Sequence, residues 1–398
     1  MSRIRFTKIT QPSTPAANLS EVYVDTADRR LKQIDDLGVV SQLAAGFEKN
    51  LLINGGFDFV QRAAVALTNI TSPSATNRIY SADRWGFTVG NVTTPQFEQV
   101  DTIAAFETGL NARYYGRYKQ LTNAAKVALT QVVLGRDTAT LRGRVVRFQV
   151  LMRWNVGSNR DMRLGLTTNT GTVDAPTAAW VTAFNANGTD PTFGASLALV
   201  TPLLVEGTGA TLVGSAATCP ITNAWQRFSA TFLIPTTCKN IMPVIFSNNT
   251  FAANDDLCIS QCGLYDGMEI QDWITLPTST ELIRCQHFYA KTFALGTVPA
   301  ASVLAGAVKW GTGVAGAVSG AWGQWRYPTR MNKTPTITLF NPGAAGAQVR
   351  QLSATAGDCT ASSATNITDT CCDFTTTPGA TAVIGSILGV NATAEAEL

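Results

Sequence analysis

The sequence predicts an all-β chain: a small N-terminal meander, a large β-sandwich and a C-terminal β-rich domain, with one short helix connecting the last two. Three observations predict it. Only 14% of the 398 residues are charged, against about a quarter in an average globular chain. Thr, Ala, Gly, Ser and Asn stand in their place, a mix that suits strands and turns and disfavours long helices. From about residue 51 to 275, apolar side chains recur at every second position, the period of a half-buried strand, and Gly, Asn, Pro and Asp punctuate the runs as turns.

Residues 1 to 47 read as a separate module. Residues 10 to 20, TQPSTPAANLS, carry two prolines and read as extended. In EVYVDTADRRLKQIDDLGVVSQL, Val22 and Val24 alternate with Tyr23, and residues 25 to 29 turn. Leu31 and Ile34 follow, Asp35-Asp36-Leu37-Gly38 turns again, and Val39, Val40 and Leu43 close a three-stranded meander. Such a module is too small to bury much surface by itself, so it is expected to pack against other chains.

Residues 48 to 275 form the predicted sandwich. In RVVRFQVLMRWNV, Val146, Phe148, Val150, Met152 and Trp154 share one face, while Arg147, Gln149, Leu151 and Arg153 share the other. NAWQRFSATFLIP repeats this with Phe228, Ala230, Phe232 and Ile234 against Arg227, Ser229, Thr231 and Leu233. Trp154, Trp180 and Trp225 are expected in the core. The looser, Thr/Ala/Gly-rich stretch from 168 to 222 reads as insertions and loops on one edge. Residues 276 to 294, LPTSTELIRCQHFYAKTFA, break the period: Leu282, Cys285, Gln286 and Tyr289 fall near helical spacing, with Ser279 or Thr280 as a cap.

From 295 to 398 a second β-rich domain follows. Residues 341 to 398 hold one Lys or Arg, Arg350, and one aromatic, Phe374. So little bulky apolar material predicts that the domain shares its core with copies of itself. Trp310, Trp322, Trp325 and Tyr327 precede residue 341 in a Gly/Ala-rich region. They read either as sugar-stacking rings or as filling for a core or an interface between chains, and the second is favoured. On a regular strand Trp325 and Tyr327 share one face and Trp322 takes the other.

A net charge of +3 is too small for a nucleic-acid surface, and Arg142, Arg144 and Arg147 divide between two strand faces. No apolar stretch reaches membrane-spanning length. No apolar run follows Met1-Ser2-Arg3-Ile4-Arg5, which predicts no secretory signal and assembly in a cytosol. The cysteines, at 219, 238, 258, 262, 285, 359, 371 and 372, are then expected as free thiols. Cys258 and Cys262 lack a second pair at zinc-ligand spacing, and no metal or cofactor is expected.

No catalytic residue is expected either. His287, the one histidine, would have to serve any Ser-His-Asp or Cys-His mechanism, and a packed or solvated role is favoured for it. Asp255, Asp256, Asp266 and Glu269 carry no glycosidase signature. The Gly-rich run at 306 to 320 lacks the Lys-Ser/Thr of a phosphate loop.

Five stretches stand in order: NLLINGGFDFVQRA from 50, YSADRW from 80, NAWQRFSATFLIP from 223, ELIRCQHFYAKTF from 281 and RYPTRMNKTPTITLF from 326. Together they resemble a widespread family of bacteriophage fibre proteins. Its pattern is Asn-Leu-Leu-Ile-Asn-Gly-x-Phe, Tyr-x-Ala-Asp-Arg-Trp, a Trp-x-x-Phe-Ser strand ending in Ile-Pro, Glu-Leu-x-x-Cys-Gln-Arg-Tyr-Tyr, and Met-Arg-x-x-Pro-Thr. The resemblance covers roughly residues 50 to 340. It departs from the pattern at His287-Phe288, where Arg-Tyr is usual, and at Asn332, where Arg is usual. Residues 22 to 38, VYVDTADRRLKQIDDLG, also resemble virion-anchoring segments of phage structural proteins.

The resemblance implies a jelly-roll sandwich like a carbohydrate-binding module, a homotrimer, and a place on the virion surface after assembly in a host cytoplasm. The N-terminal segment would anchor to other virion proteins of tail or capsid, and the distal domain would meet host surface polysaccharide. Asn50 to Arg62 would be the first strand of the sandwich. Asp83-Arg84-Trp85 would be a structural corner, Asp83 and Arg84 pairing or capping backbone and Trp85 entering the core. A tail fibre is favoured. A capsid-mounted fibre or decoration protein is an alternative, as is a polysaccharide depolymerase, although the repeats of a β-helical depolymerase are not seen.

Overall fold

The computed structural model describes residues 8–25, 31–38, 40–42, 49–63, 68–69, 79–90, 95–103, 109–120, 125–156, 160–313, 315–316, 321–353 and 356–397. Met1 to Arg5, the turn after Asp25, Val39, Leu43 and residues 314 and 317–320 of the Gly-rich run lie outside them.

The fold is nearly all-β, with two short helices among the described residues, Gly135–Ala139 and Thr278–Gln286. The N-terminal module is a four-stranded sheet. Ser20–Asp25, Leu31–Asp35 and Val40–Gln42 make the antiparallel meander. A further short strand, Lys8–Ile9, adds in parallel beside Ser20–Asp25. Tyr23 and Ile34 are buried.

Two large sheets make the sandwich. One runs Leu204–Glu206, Gln226–Leu233, Val145–Val156, Asp256–Asp266, Tyr114–Gln120, Pro95–Asp101, Thr68–Asn69. The other runs Thr211–Val213, Ala216–Pro220, Asp161–Asn169, Asn240–Ser247, Val127–Thr130, Gly86–Val89, Ile79–Tyr80, with Leu197–Leu199 also pairing Asp161–Asn169. Their apolar faces meet in one core that includes Trp85, Phe148, Trp154, Phe228 and Phe232. The mechanism is the alternation itself: each strand turns every second side chain inward, and two such faces bury each other. The stretch after residue 169 supplies short strands at the sheet edges and a separate two-stranded hairpin, Val181–Ala183 with Thr192–Phe193. All eight cysteines are free, and only Cys371 is not fully buried.

Three expectations are corrected. Asn50 to Arg62 is not a strand; it is an irregular, mostly buried segment. Asn54 and Phe57 have positive φ, 58° and 59°, which breaks a strand's alternation. Its polar groups are satisfied by distant side chains: the Ile53 amide donates to Gln131 Oε1 at 2.7 Å, and Gln131 Nε2 donates to the Ile53 carbonyl at 2.8 Å. A Cβ at Gly55 would lie 2.1 Å from the Cys262 carbonyl oxygen, so only glycine permits this approach.

Second, Trp225 is not in the core. Trp154 and Trp180 are fully buried, but Trp225 is only partly buried. Its ring meets Tyr115 edge-on at 5.3 Å, with the Arg153 guanidinium 5.2 Å above it. It stands in the turn before Gln226–Leu233, outside the strand's inward register.

Third, the C-terminal domain encloses a core within one chain. Ile387–Glu395 is its central strand and pairs with Tyr289–Lys291, Thr336–Phe340, Val308–Gly311 and Arg350–Gln351. A three-stranded sheet of Ala321–Arg326, Cys371–Thr377 and Thr360–Thr365 completes the domain. Leu388, Val390, Ala392, Ala394 and Ala396 line the core at every second position. The bulk that the tail lacks comes from earlier in the chain, from Trp325, Tyr327, Met331 and Leu339. The scarcity of large residues after 341 is therefore answered inside the chain.

Candidate functional site

Asp83, Arg84 and Trp85 are all buried. Asp83 and Arg84 do not pair with each other. Asp83 accepts from the Gln61 amide at 3.1 Å and Gln61 Nε2 at 2.6 Å, and lies 3.5 Å from an Arg62 nitrogen. Burial, opposed first by Arg62, leaves the Asp83 carboxyl above its ordinary range. Arg84, held at φ 71°, ion-pairs with Glu397, donates to the Val132 carbonyl at 2.7 Å and lies 3.5 Å over the Phe288 ring. Trp85 Nε1 donates to the Asn54 carbonyl at 3.0 Å. Arg62 joins this group through Glu395 at 2.9 Å and Glu397 at 3.1 Å. The triplet thus welds the sandwich to the end of the C-terminal strand. Arg62, Glu395 and Glu397 were missed in the sequence, because no local period links residues 333 and 335 apart.

The four distal aromatics separate. Ala321–Arg326 alternates buried and exposed residues along its whole length. Trp325 faces inward at 8% exposure, and Tyr327, just beyond the strand, is buried beside it, their rings 5.0 Å apart and edge-on. Trp310 is partly buried and stacks on Phe374 at 6.1 Å. A Cβ at Gly323 would lie 2.5 Å from the Trp310 ring, so the glycine makes room for it. Trp322 alone points out, at 58% exposure.

The face around Trp322 is polar. Gln324 and Arg326 share it with Trp322 along their strand. Thr375 stands in register with Trp322, and Ser363 with Thr375. Asp373 pairs across from Gln324, accepting from Gln324 Nε2 at 3.3 Å and from Asn366 Nδ2 at 2.8 Å. Arg326 Nε donates to Gln324 Oε1 at 3.3 Å, and the Ser363 and Thr375 hydroxyls bond at 2.9 Å. One exposed indole beside an amide, a guanidinium, a carboxylate and hydroxyls is the chemistry that recognises a pyranose: the ring stacks on C–H groups while the polar groups exchange hydrogen bonds with sugar hydroxyls. The polar partners could have been read from CCDFTTT, where Cys371, Asp373 and Thr375 alternate with Cys372, Phe374 and Thr376.

The other chemical candidates are engaged in the fold. Asp256 is held by Arg117 at 2.6 Å, Asp255 by Arg160 at 2.5 Å, and Asp266 pairs with Arg144. His287 Nδ1 donates to the Arg330 carbonyl at 2.6 Å. Cys285, two residues away, is fully buried, and burial pushes its thiol well above the ordinary range.

No protein-family model matches the chain, and no curated protein matches it. Solved structures similar to it include TmCBM61 in complex with β-1,4-galactotriose, at 11% identity over 55% of this chain and 99% of that one, TM-score 0.30. The CBM22-1 xylan-binding domain from Paenibacillus barcinonensis Xyn10C is similar at 11% identity over 52% and 100%, TM-score 0.26. The enzymatically active domain of bacteriophage CBA120 tailspike protein 4 is similar at 9% identity over 55% of this chain and 21% of that one, TM-score 0.28.

Proposed function

We propose that this chain is a non-enzymatic fibre or spike of a bacteriophage virion, a homotrimeric tail fibre that attaches to glycan on the host surface. The observation that carries the glycan reading is the exposed Trp322 within a polar sheet face, next to three aromatics that are packed away. The virion reading rests on the five ordered sequence stretches. Association of copies is supported by exposed apolar side chains on the C-terminal domain, among them Leu304, Val383, Ile384 and Ile387, rather than by any shortage of core. A capsid-mounted fibre would use the same build and differ only in where the N-terminal sheet docks.

The test is adsorption. Labelled purified protein is expected to coat host bacteria, free host polysaccharide to compete, and Trp322→Ala to lose binding with an unchanged melting curve. Light scattering is expected to give three times the 42.3 kDa chain mass. Retained adsorption by Trp322→Ala removes the Trp322 face as the receptor site. Release of reducing sugar from the polysaccharide would reverse the non-enzymatic reading.

A further inference from the structure

We infer that the cleft between the sandwich and the C-terminal domain is a second binding site, one for a pyranose bearing a carboxylate. The cleft encloses about 380 Å³, within the range of about 300–1,000 Å³ typical of small-molecule sites, which favour such junctions. Its lining includes apolar side chains: Leu51 and Ile53 from the irregular segment, Leu134, and Phe288 at the end of the connecting helix. The Phe288 ring lies under the Arg84 guanidinium, so Leu51 and Ile53, both only partly buried, are the apolar groups open to the C–H face of a sugar ring.

The rim is cationic, and its charges are unequally matched. Lys49 and Arg136 stand on one side and share a single carboxylate, Asp137, at 4.0 and 3.8 Å. Both contacts are too long for a hydrogen bond. Both cations are largely exposed, at 71% and 78%. Across the cleft, Arg330 is held by Asp369 at 2.6 Å. Arg284, deeper in, is committed to Glu281 at 2.8 Å and to the carbonyls of Asn50 and Leu52. Two cations facing one distant carboxylate leave a place for one more anion, and a ligand carboxylate accepting from the Arg136 guanidinium and the Lys49 ammonium supplies it.

The far wall is built to hold its shape. The Asn332 amide donates to the His287 carbonyl at 2.6 Å, and the Met331 amide to the Asp369 carbonyl at 2.7 Å. With the His287 to Arg330 bond, the Asn332 bond clips this stretch to the helix end, while the Met331 bond ties it to Asp369. His287 Nε2 makes no hydrogen bond among the described residues and lies in the lining as a polar group for a sugar hydroxyl. The site is separate from the Trp322 face and does not depend on it.

Titration calorimetry on the full chain tests the inference with glucuronate, galacturonate, glucose, glucose 6-phosphate and inorganic phosphate. At least one uronate is expected to bind, glucose and inorganic phosphate not. Arg136→Gln and Lys49→Met, both at exposed positions, are each expected to weaken uronate binding about tenfold, as loss of a charge-assisted hydrogen bond does. Trp322→Ala is expected to leave it unchanged. Binding of inorganic phosphate as tight as the uronate would overturn the inference in favour of a simple anion site, and tighter binding of glucose 6-phosphate would overturn the carboxylate assignment. No uronate binding, or binding indifferent to both rim substitutions, would overturn the site itself.

Discussion

Arg84 and Glu397 are 313 residues apart and form a buried ion pair. One comes from the YSADRW stretch of the sandwich, the other from just past the C-terminal strand. Arg84 is further fixed by the Val132 carbonyl and the Phe288 ring, so the two domains meet through a charge that neither could bury alone. Removing one partner of a buried pair costs about 3–5 kcal/mol, because the other is left desolvated and uncompensated. Glu397→Gln is therefore expected to lower the unfolding free energy measured in urea by an amount in that range. An unfolding free energy within about 0.5 kcal/mol of the parent, the ordinary effect of a surface change, would contradict the buried pair.

Asp58 sets a pH dependence. Burial, and then the Glu281 carboxylate, push its carboxyl up to about 6 from 3.8. Between about pH 4 and 6 the folded chain keeps a proton that the unfolded chain has released. The contribution of Asp58 to stability therefore falls as pH rises through that window, and the penalty is complete above it. Asp58→Asn is expected to stabilise the protein at pH 7 and to change little at pH 4, measured as unfolding free energy at the two values. Equal effects at both would show that the carboxyl is not shifted.

Trp325 and Trp322 lie three residues apart and are expected to respond oppositely. Trp325→Ala empties part of the C-terminal core and is expected to cost about 3 kcal/mol or more, read as a clearly lower melting temperature. Trp322→Ala is expected to stay within about 0.5 kcal/mol of the parent. Similar melting curves for the two variants would mean that the strand faces are misassigned.

The N-terminal sheet is expected to be dispensable for folding. Its strands pair only with one another among the described residues. Deleting residues 1 to 47 is expected to leave the cooperative unfolding of the remainder in place while abolishing incorporation into particles. Normal incorporation of the truncated chain would put the anchor elsewhere.

A domain whose core lies within one chain is expected to survive dissociation. Ile384→Glu combined with Val383→Glu places charge on exposed apolar positions. If copies associate there, light scattering will show a single chain mass with a cooperative melt retained. Loss of the cooperative melt would mean that these side chains support the fold itself.

The sequence by itself determined what a strand's period can carry. The all-β class, the inward rows of Val145–Val156 and Gln226–Leu233 and the opposite facing of Trp322 and Trp325 all follow from alternation, a property of neighbouring residues. Tertiary structure decided whatever depends on partners far along the chain. Asn50 to Arg62 looks like a strand until Gln131 and Glu281 are seen to satisfy its amides. Trp225 looks like core until its turn carries it out to Tyr115 and Arg153. The residues after 341 look too small for a core until Trp325, Tyr327 and Leu339 pack against their alanines. The physical reason is common to all three. Hydrogen-bond satisfaction and close packing are settled by whichever groups the fold brings within about 3–4 Å, and sequence separation says nothing about which those are.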